Sequence, residues 1–209
     1  MNILIIASGN HKSTAELLRY AKTADYIICA DGGYDHAKQC GIVPDILVGD
    51  FDSITEEPLD FVKKVKLPIE KDETDSLYAL RFAFSKGAKS IVLYGGIGSR
   101  FDHSYANVCL LQQALERDIP MVVTDGCTEI YLTDSHLTLE QPIGTTVSVY
   151  AFSDVCEGVT LSGVKYPLEH AFLNKYNIIG TSNELIGERA EFSVSTGNLL
   201  IVCNKKQPY

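Results

Sequence analysis

The chain has 209 residues, 45% of them hydrophobic, and 27 acidic side chains against 18 basic ones give a formal net charge of −9. That is enough apolar material for one large domain or two modest ones, and the acidic balance argues against nucleic acid as a partner, because phosphate-backbone binding draws on clustered Lys and Arg. Met1 leads directly into an apolar run with no cleavage site after it, and no stretch is long enough to span a bilayer. The cysteines (Cys29, Cys40, Cys109, Cys127, Cys156, Cys203) are dispersed without a C-x-x-C pair, which suggests neither a zinc site nor a disulfide framework and fits a reducing cytoplasm.

Residues 1–126 alternate short apolar runs with helical patterns, the signature of βαβ units and a largely parallel, Rossmann-like sheet flanked by helices. Strands are predicted at 3–7, 26–30, 45–49, 90–94 and 120–124. The first helix is announced by the capping box Ser13-Thr14-Ala15-Glu16. Two further helices, 75–86 and 104–117, carry apolar stripes that read as core. After Asp125-Gly126 helical periodicity stops. Residues 127–209 alternate runs rich in Thr, Val, Tyr and Phe with Gly, Pro, Asn and Ser, which predicts an all-β domain, a sandwich or a small barrel, with strands at 128–133, 136–140, 145–152, 158–161, 169–173, 188–194 and 199–203.

In an open α/β sheet, ligands bind beyond the carboxyl ends of the strands, and the first two of four chemically suggestive clusters sit directly after strands: Ala30-Asp31-Gly32-Gly33 and Gly49-Asp50-Phe51-Asp52-Ser53. A third, Lys71-Asp72-Glu73-Thr74-Asp75, precedes a helix, and the fourth, Gly95 to His103, again follows a strand. Asp50 and Asp52, two apart in an extended segment, would leave the same side and share a hard cation; an isolated Asp-x-Asp would more often close an Asx-turn. Asp75 could cap the helix that follows or project into the crevice, and Glu73 reads as a solvated acidic turn. The glycines at 95, 96 and 98 would let backbone N–H groups approach a phosphate, although the spacing matches neither the P-loop nor the dinucleotide fingerprint. Arg100 offers a fork for phosphate oxygens and Lys71 a point charge. Asp102 could cap a helix or orient Arg100, and His103 taken alone reads as a packing histidine. Together these residues suit Mg-nucleotide chemistry.

The four clusters, in this order, resemble the thiamine pyrophosphokinases, whose N-terminal half carries A-D-G-G, G-D-F-D-S, an acidic D-x-T-D and G-x-x-G-x-R-x-D-H. The segments 158–168, 181–184 and 195–200 resemble the family's later motifs. The resemblance implies an N-terminal α/β domain and a C-terminal β-sandwich, ATP and thiamine as substrates, Mg2+ as the metal, pyrophosphoryl transfer with AMP leaving, and a homodimer with active sites at the subunit interface. Carried over by motif, Asp50, Asp52 and Asp75 would hold Mg, and Asp31, Gly32, Lys71, Thr74, Gly96, Arg100, Asp102 and His103 would surround the phosphates and the reacting group. Asp72 stands between the two roles, with Asp72 and Asp75 as the candidates for a general base. Ser182, Asn183, Ser195, Thr196 and Leu199 would line the thiamine pocket. Animal members carry a Trp after the paired leucines where this chain has Ile201, which leaves the partner that stacks on thiamine open. An Mg-dependent phosphatase or nucleotidyltransferase, or a non-catalytic thiamine-binding module, are the rival readings.

Overall fold

The computed structural model describes residues 1–55, 57–68 and 72–205, and it divides into two compact units, Met1–Gly126 and Cys127–Tyr209. In the first unit the strands β1 (Asn2–Ile6), β2 (Tyr26–Ala30), β3 (Ile46–Gly49), β4 (Lys63–Lys66), β5 (Ser90–Tyr94) and β6 (Met121–Thr124) are interleaved with helices α1 (Thr14–Thr23), α2 (Gly33–Gln39), α3 (Asp75–Ser85) and α4 (Phe101–Leu115). The strands run parallel in the order β6-β5-β1-β2-β3-β4. Parallel strands covered on both faces read as unbroken apolar runs, and accordingly the side chains of Ile3, Leu4, Ile5 and Ile6 on β1 and of Ile46, Leu47 and Val48 on β3 are all buried.

Two elements have no such signature. β4 is Lys-Lys-Val-Lys, pairs with β3, and ends the strand order; lysines on an edge strand discourage further pairing, and they also erase the hydrophobic pattern. α2 begins at a Gly-Gly pair that reads locally as a turn, yet Tyr34 and Ala37 bury its inner face.

The helix starts decide where side chains are available. Ser13 caps α1, accepting from the Glu16 N–H at 3.2 Å. Thr74, not Asp75, caps α3, its hydroxyl accepting from the Leu77 N–H at 3.2 Å. Capping therefore does not occupy the Asp75 carboxylate. α4 starts at Phe101 instead of 104, because Phe101, Asp102 and His103 complete a first turn whose exposed side chains contribute nothing to the apolar stripe.

In the second unit, β9 (Thr146–Ala151) lies between β12 (Asn183–Glu184) and β14 (Leu199–Asn204), and β14 also pairs with β7 (Thr128–Thr133), all antiparallel. A four-stranded antiparallel sheet has the order β11 (Leu168–Asn174), β10 (Val155–Ser162), β13 (Arg189–Ser193), β8 (His136–Glu140). Alternate residues point to one face of a strand. Val147, Val149 and Ala151 on β9, Leu199, Ile201 and Cys203 on β14, Val159 and Leu161 on β10, and Ala190 and Phe192 on β13 meet in one core, the interior of a β-sandwich. No helix among the described residues is long and apolar enough to cross a membrane.

Candidate active site

In the first unit the chain proceeds from β1 outward through β2, β3 and β4, then returns to place β5 and β6 on the other side of β1. The β1/β5 boundary is thus a topological switch point, where α/β sheets open a crevice. A cleft of about 510 Å3 is lined by Ala30 at the end of β2, by the segments after β1 (Ala7, Ser8, Gly9), β2 (Asp31), β3 (Asp50, Asp52, Ser53) and β5 (Gly95, Gly96, Gly98, Ser99, Arg100), and by the starts of α3 and α4.

One wall is acidic. Asp31, Asp50 and Asp52 each bring a carboxylate oxygen to within 4.8 Å of the others. The convergence does not come from the extended segment expected. Gly49 has φ +151° and Phe51 φ +71°, and Asp50 Oδ1 accepts from the Asp52 N–H at 3.2 Å, so an Asx-turn forms and the same bend turns both carboxylates toward Asp31. Ser53 donates its hydroxyl to Asp52 Oδ1 at 2.9 Å. The bend is tied to α2: Asp35 Oδ2 accepts from the Thr55 N–H at 3.0 Å and its hydroxyl at 2.9 Å, and the Tyr34 hydroxyl accepts from the Leu59 N–H at 3.1 Å.

Asp31 carries the strongest sign of a missing partner. It sits at φ +46°, is 8% exposed, and leaves Oδ1 buried without a hydrogen-bond partner among the described residues. Burial raises its pKa, hydrogen bonds from Ser53 and the Gly32 backbone oppose this, and the charges of Asp75 and Asp50 push it further up. Carboxylates crowded together, with no nitrogen or sulfur donor among them, suit a hard, oxygen-seeking cation. Asp75 lines the same cleft but stands outside the 4.8 Å group.

The other wall is built of backbone. Gly9 donates to Gly95 O at 3.0 Å and Asn10 to Ile97 O at 2.6 Å. A Cβ on Gly9 would run into both carbonyls, so only glycine permits the two loops to approach this closely. α4 holds the glycine turn from below: Asn107 Nδ2 donates to Gly96 O at 2.9 Å and Ser104 Oγ accepts from the Gly98 N–H at 3.0 Å. Arg100 forks onto Asp102, Nη2 to Oδ2 at 2.6 Å and Nε to Oδ1 at 3.3 Å. Arg100, at the N-cap position of α4, makes no side-chain cap; Asp102 orients its guanidinium, which in turn holds the Asp102 carboxyl below the usual range, with a lesser contribution from the His103 backbone. His103 is exposed at the cleft, not packed in the core.

The remaining expectations divide. Thr74 lines the cleft while capping α3. Gly32 is buried at the start of α2 between Ser8 and Ser53. Glu73 is not a solvated turn residue: it lines the cleft and is ion-paired with Arg81. Asp72 is exposed and absent from the lining, and Lys71 lies outside the described residues. Ser8, Gly9, Ser104 and Asn107 were not anticipated. Ser8-Gly9 follows β1 as Asp31 follows β2, so the strand-end rule would have found it; Asn107 has no sequence signal.

In the second unit Ser182, Ser195 and Thr196 are exposed. Asn183 and Leu199 are instead built into the sandwich. The Asn183 amide is occupied by backbone, Oδ1 accepting from Tyr166 N–H at 3.0 Å and Nδ2 donating to Tyr166 O at 2.7 Å. Leu199 and Ile201 are 0% exposed in the core. Asn183 is in register with Val147 and Leu199 with Ala151, about 13 Å apart along β9 at ~3.3 Å per residue.

Two family models match the chain: the catalytic domain of thiamin pyrophosphokinase over residues 17–123 and its vitamin B1 binding domain over residues 134–200. The chain is 30% identical over 207 residues to the thiamine pyrophosphokinase of Bacillus subtilis, covering 96% of this chain and 97% of the relative. It is 27% identical over 178 residues to thiamin pyrophosphokinase 1 of Caenorhabditis elegans, covering 78% and 72%. Among solved structures, the Bacillus subtilis thiamine pyrophosphokinase superposes with a TM-score of 0.88 at 30% identity over 99% of this chain and 100% of that one. The thiamin pyrophosphokinase of Geobacillus thermodenitrificans superposes with a TM-score of 0.87 at 27% identity over 99% of each.

Proposed function

Because the chain belongs to the thiamine pyrophosphokinase family and is a thiamine diphosphokinase, a transferase, we propose that the cleft of its first unit binds Mg-ATP and passes the terminal pyrophosphoryl group to the hydroxyl of thiamine. The observation that carries this reading is the Asp31, Asp50 and Asp52 cluster with its unpartnered buried oxygen. Those three residues would hold Mg2+, with Asp75 beside them; when bound, the cation offsets triphosphate charge and polarises the phosphoryl oxygens. The N–H groups of the first turn of α4 receive phosphate oxygens, while those of Gly95, Gly96 and Gly98 stay bonded to Thr124 O and Ser104 Oγ and keep the turn in shape. Arg100, aimed by Asp102, and His103 face the charge that builds on the transferring group. The thiamine oxygen forms a bond to the β-phosphorus as the bond from that phosphorus to the α-phosphate oxygen breaks, and AMP departs. Asp75, which lines the cleft where Asp72 does not, takes the hydroxyl proton. Ser182, Ser195 and Thr196 of the second unit hold thiamine by hydrogen bonds and shape, since Ile201 is core.

A homodimer in a reducing cytoplasm completes the proposal. Tyr176, Ile178 and Ile179 are 94%, 62% and 58% exposed, apolar surface of the kind a subunit contact covers, and all six cysteines are free. Light scattering tests the dimer. The chemistry is tested by incubating the protein with ATP, thiamine and Mg2+: AMP and thiamine diphosphate should appear in equal amounts. ADP, or free phosphate released from ATP alone, would defeat it in favour of a phosphatase or nucleotidyltransferase. Saturable thiamine binding with no nucleotide product would leave a binding module.

A further inference from the structure

Behind the backbone wall, outside the cleft lining, two histidines stack. The rings of His11, in the loop after β1, and His36, on α2, have centroids 3.5 Å apart at 23°. The Tyr94 ring tilts against His11 at 4.8 Å, and His11 Nε2 lies against Gly95, 3.0 Å from where a Cβ would stand. The same nitrogen faces Ala7 O at 3.3 Å, and the Ser8 and Gly9 carbonyls bear on His36. The pair thus grips Ala7, Ser8 and Gly9 from behind, the segment that lines the cleft and bonds to the Gly95 loop.

Two neutral imidazoles stack as ordinary aromatic rings; two imidazoliums at this distance repel. We propose that the neutral His11–His36 stack is a positioning pair that holds the Ser8–Asn10 wall against the Gly95 loop, and that its protonation at mildly acidic pH releases the wall and weakens nucleotide binding. This rests on the nucleotide being bound in this cleft. Burial, then the neighbouring His36, holds the His11 pKa down at about 4. Burial also lowers His36, against the Ser8 carbonyl, Asp35 and the Gly9 carbonyl. The charged and titratable groups on the surrounding elements are Lys12 and Asp125, bridged at 2.7 Å, Asp35 and Lys38 on α2, and Tyr94 on β5, which donates its hydroxyl to Ser13 O at 2.6 Å. Of these, Asp35 favours the charged form of His36, and its Oδ2 is already shared with Thr55. The sign follows from linkage: below the ordinary histidine value of 6.5 the unfolded chain takes up protons that the folded pair refuses, so the stack's contribution is full above 6.5 and is lost as pH falls toward 4.

ATP itself gains a proton near pH 6, so the acid limb of the wild type alone decides nothing, and the comparison is with His11→Phe, which keeps a ring and cannot be charged. The KM for ATP of the wild type should rise about tenfold between pH 7 and pH 5, with kcat changing less, and that of His11→Phe by about threefold or less over the same range. An equal rise in both proteins overturns the proposal. Should His11→Phe fail to fold, the ring Cε1 resonances of the wild type decide, recorded without ATP: two of the five histidines should begin to titrate only below the ordinary histidine range, since burial lowers both. Titration of His11 and His36 in the ordinary histidine range overturns the proposal. Failure of the nucleotide reading would show separately, as no ATP binding at pH 8 in either protein.

Discussion

Both units bury polar side chains, and Asp31 in the first is treated in the opposite way to Glu129 in the second. In the first, Asp31 is 8% exposed with one carboxylate oxygen unpartnered, crowded by other carboxylates and held at positive φ. In the second, Glu129 is 2% exposed with both oxygens engaged, Oε1 by Lys205 Nζ at 2.7 Å and Oε2 by the Tyr131 hydroxyl at 2.7 Å and Gln141 Nε2 at 2.9 Å. Asn183 is likewise satisfied by the Tyr166 backbone. A buried polar group costs free energy unless it is paired. A satisfied one therefore belongs to the scaffold, and an unsatisfied one at a cleft marks a place where a ligand completes the structure.

Substitutions can break or sharpen this contrast. Asp52→Asn should lower turnover by about a thousandfold or more with a melting temperature near that of the wild type; AMP release and thermal unfolding measure the two sides, and a folded variant with near-normal turnover would remove the metal assignment. Glu129→Gln should do the reverse, leaving kcat intact and costing about 2 kcal/mol by disturbing the Lys205 and Tyr131 contacts, roughly 4–8 °C in melting temperature for a chain this size. Asn183→Ala strands the Tyr166 N–H and C=O and should cost about 1–2 kcal/mol without changing the KM for thiamine; a raised KM at unchanged stability would return Asn183 to the pocket. The smallest effect is the most diagnostic. In protein stripped of metal, Asp31→Asn should raise stability by about 1 kcal/mol, because it relieves an unpaired buried charge, while activity is lost. A fall in the melting temperature would mean that Asp31 serves the scaffold after all.

Legibility varied with how local the cause was. β1, β2 and β5 declared themselves as apolar runs, and the α1 cap was readable four residues at a time. The acidic motifs pointed to the strand ends, where the cleft opens. Yet Asp50 and Asp52 converge through a left-handed Phe51 and an Asx-turn, not through strand alternation. Leu199, assigned to a pocket by motif, faces the core because its register with Ala151 puts it on the inner side of β14.

Residue order alone was sufficient for two domains of different texture, for a parallel sheet with acidic strand ends, and for the family, because propensity, periodicity and short motifs are properties of neighbours in the chain. The choice of Asp31 as the third member of the carboxylate cluster, the tie between Gly9 and Gly95, the hidden β4 and α2, and the histidine stack all depend on segments far apart in sequence meeting at the β1/β5 switch point or packing against its neighbours. Those meetings are set by strand order and burial, and no local pattern records them.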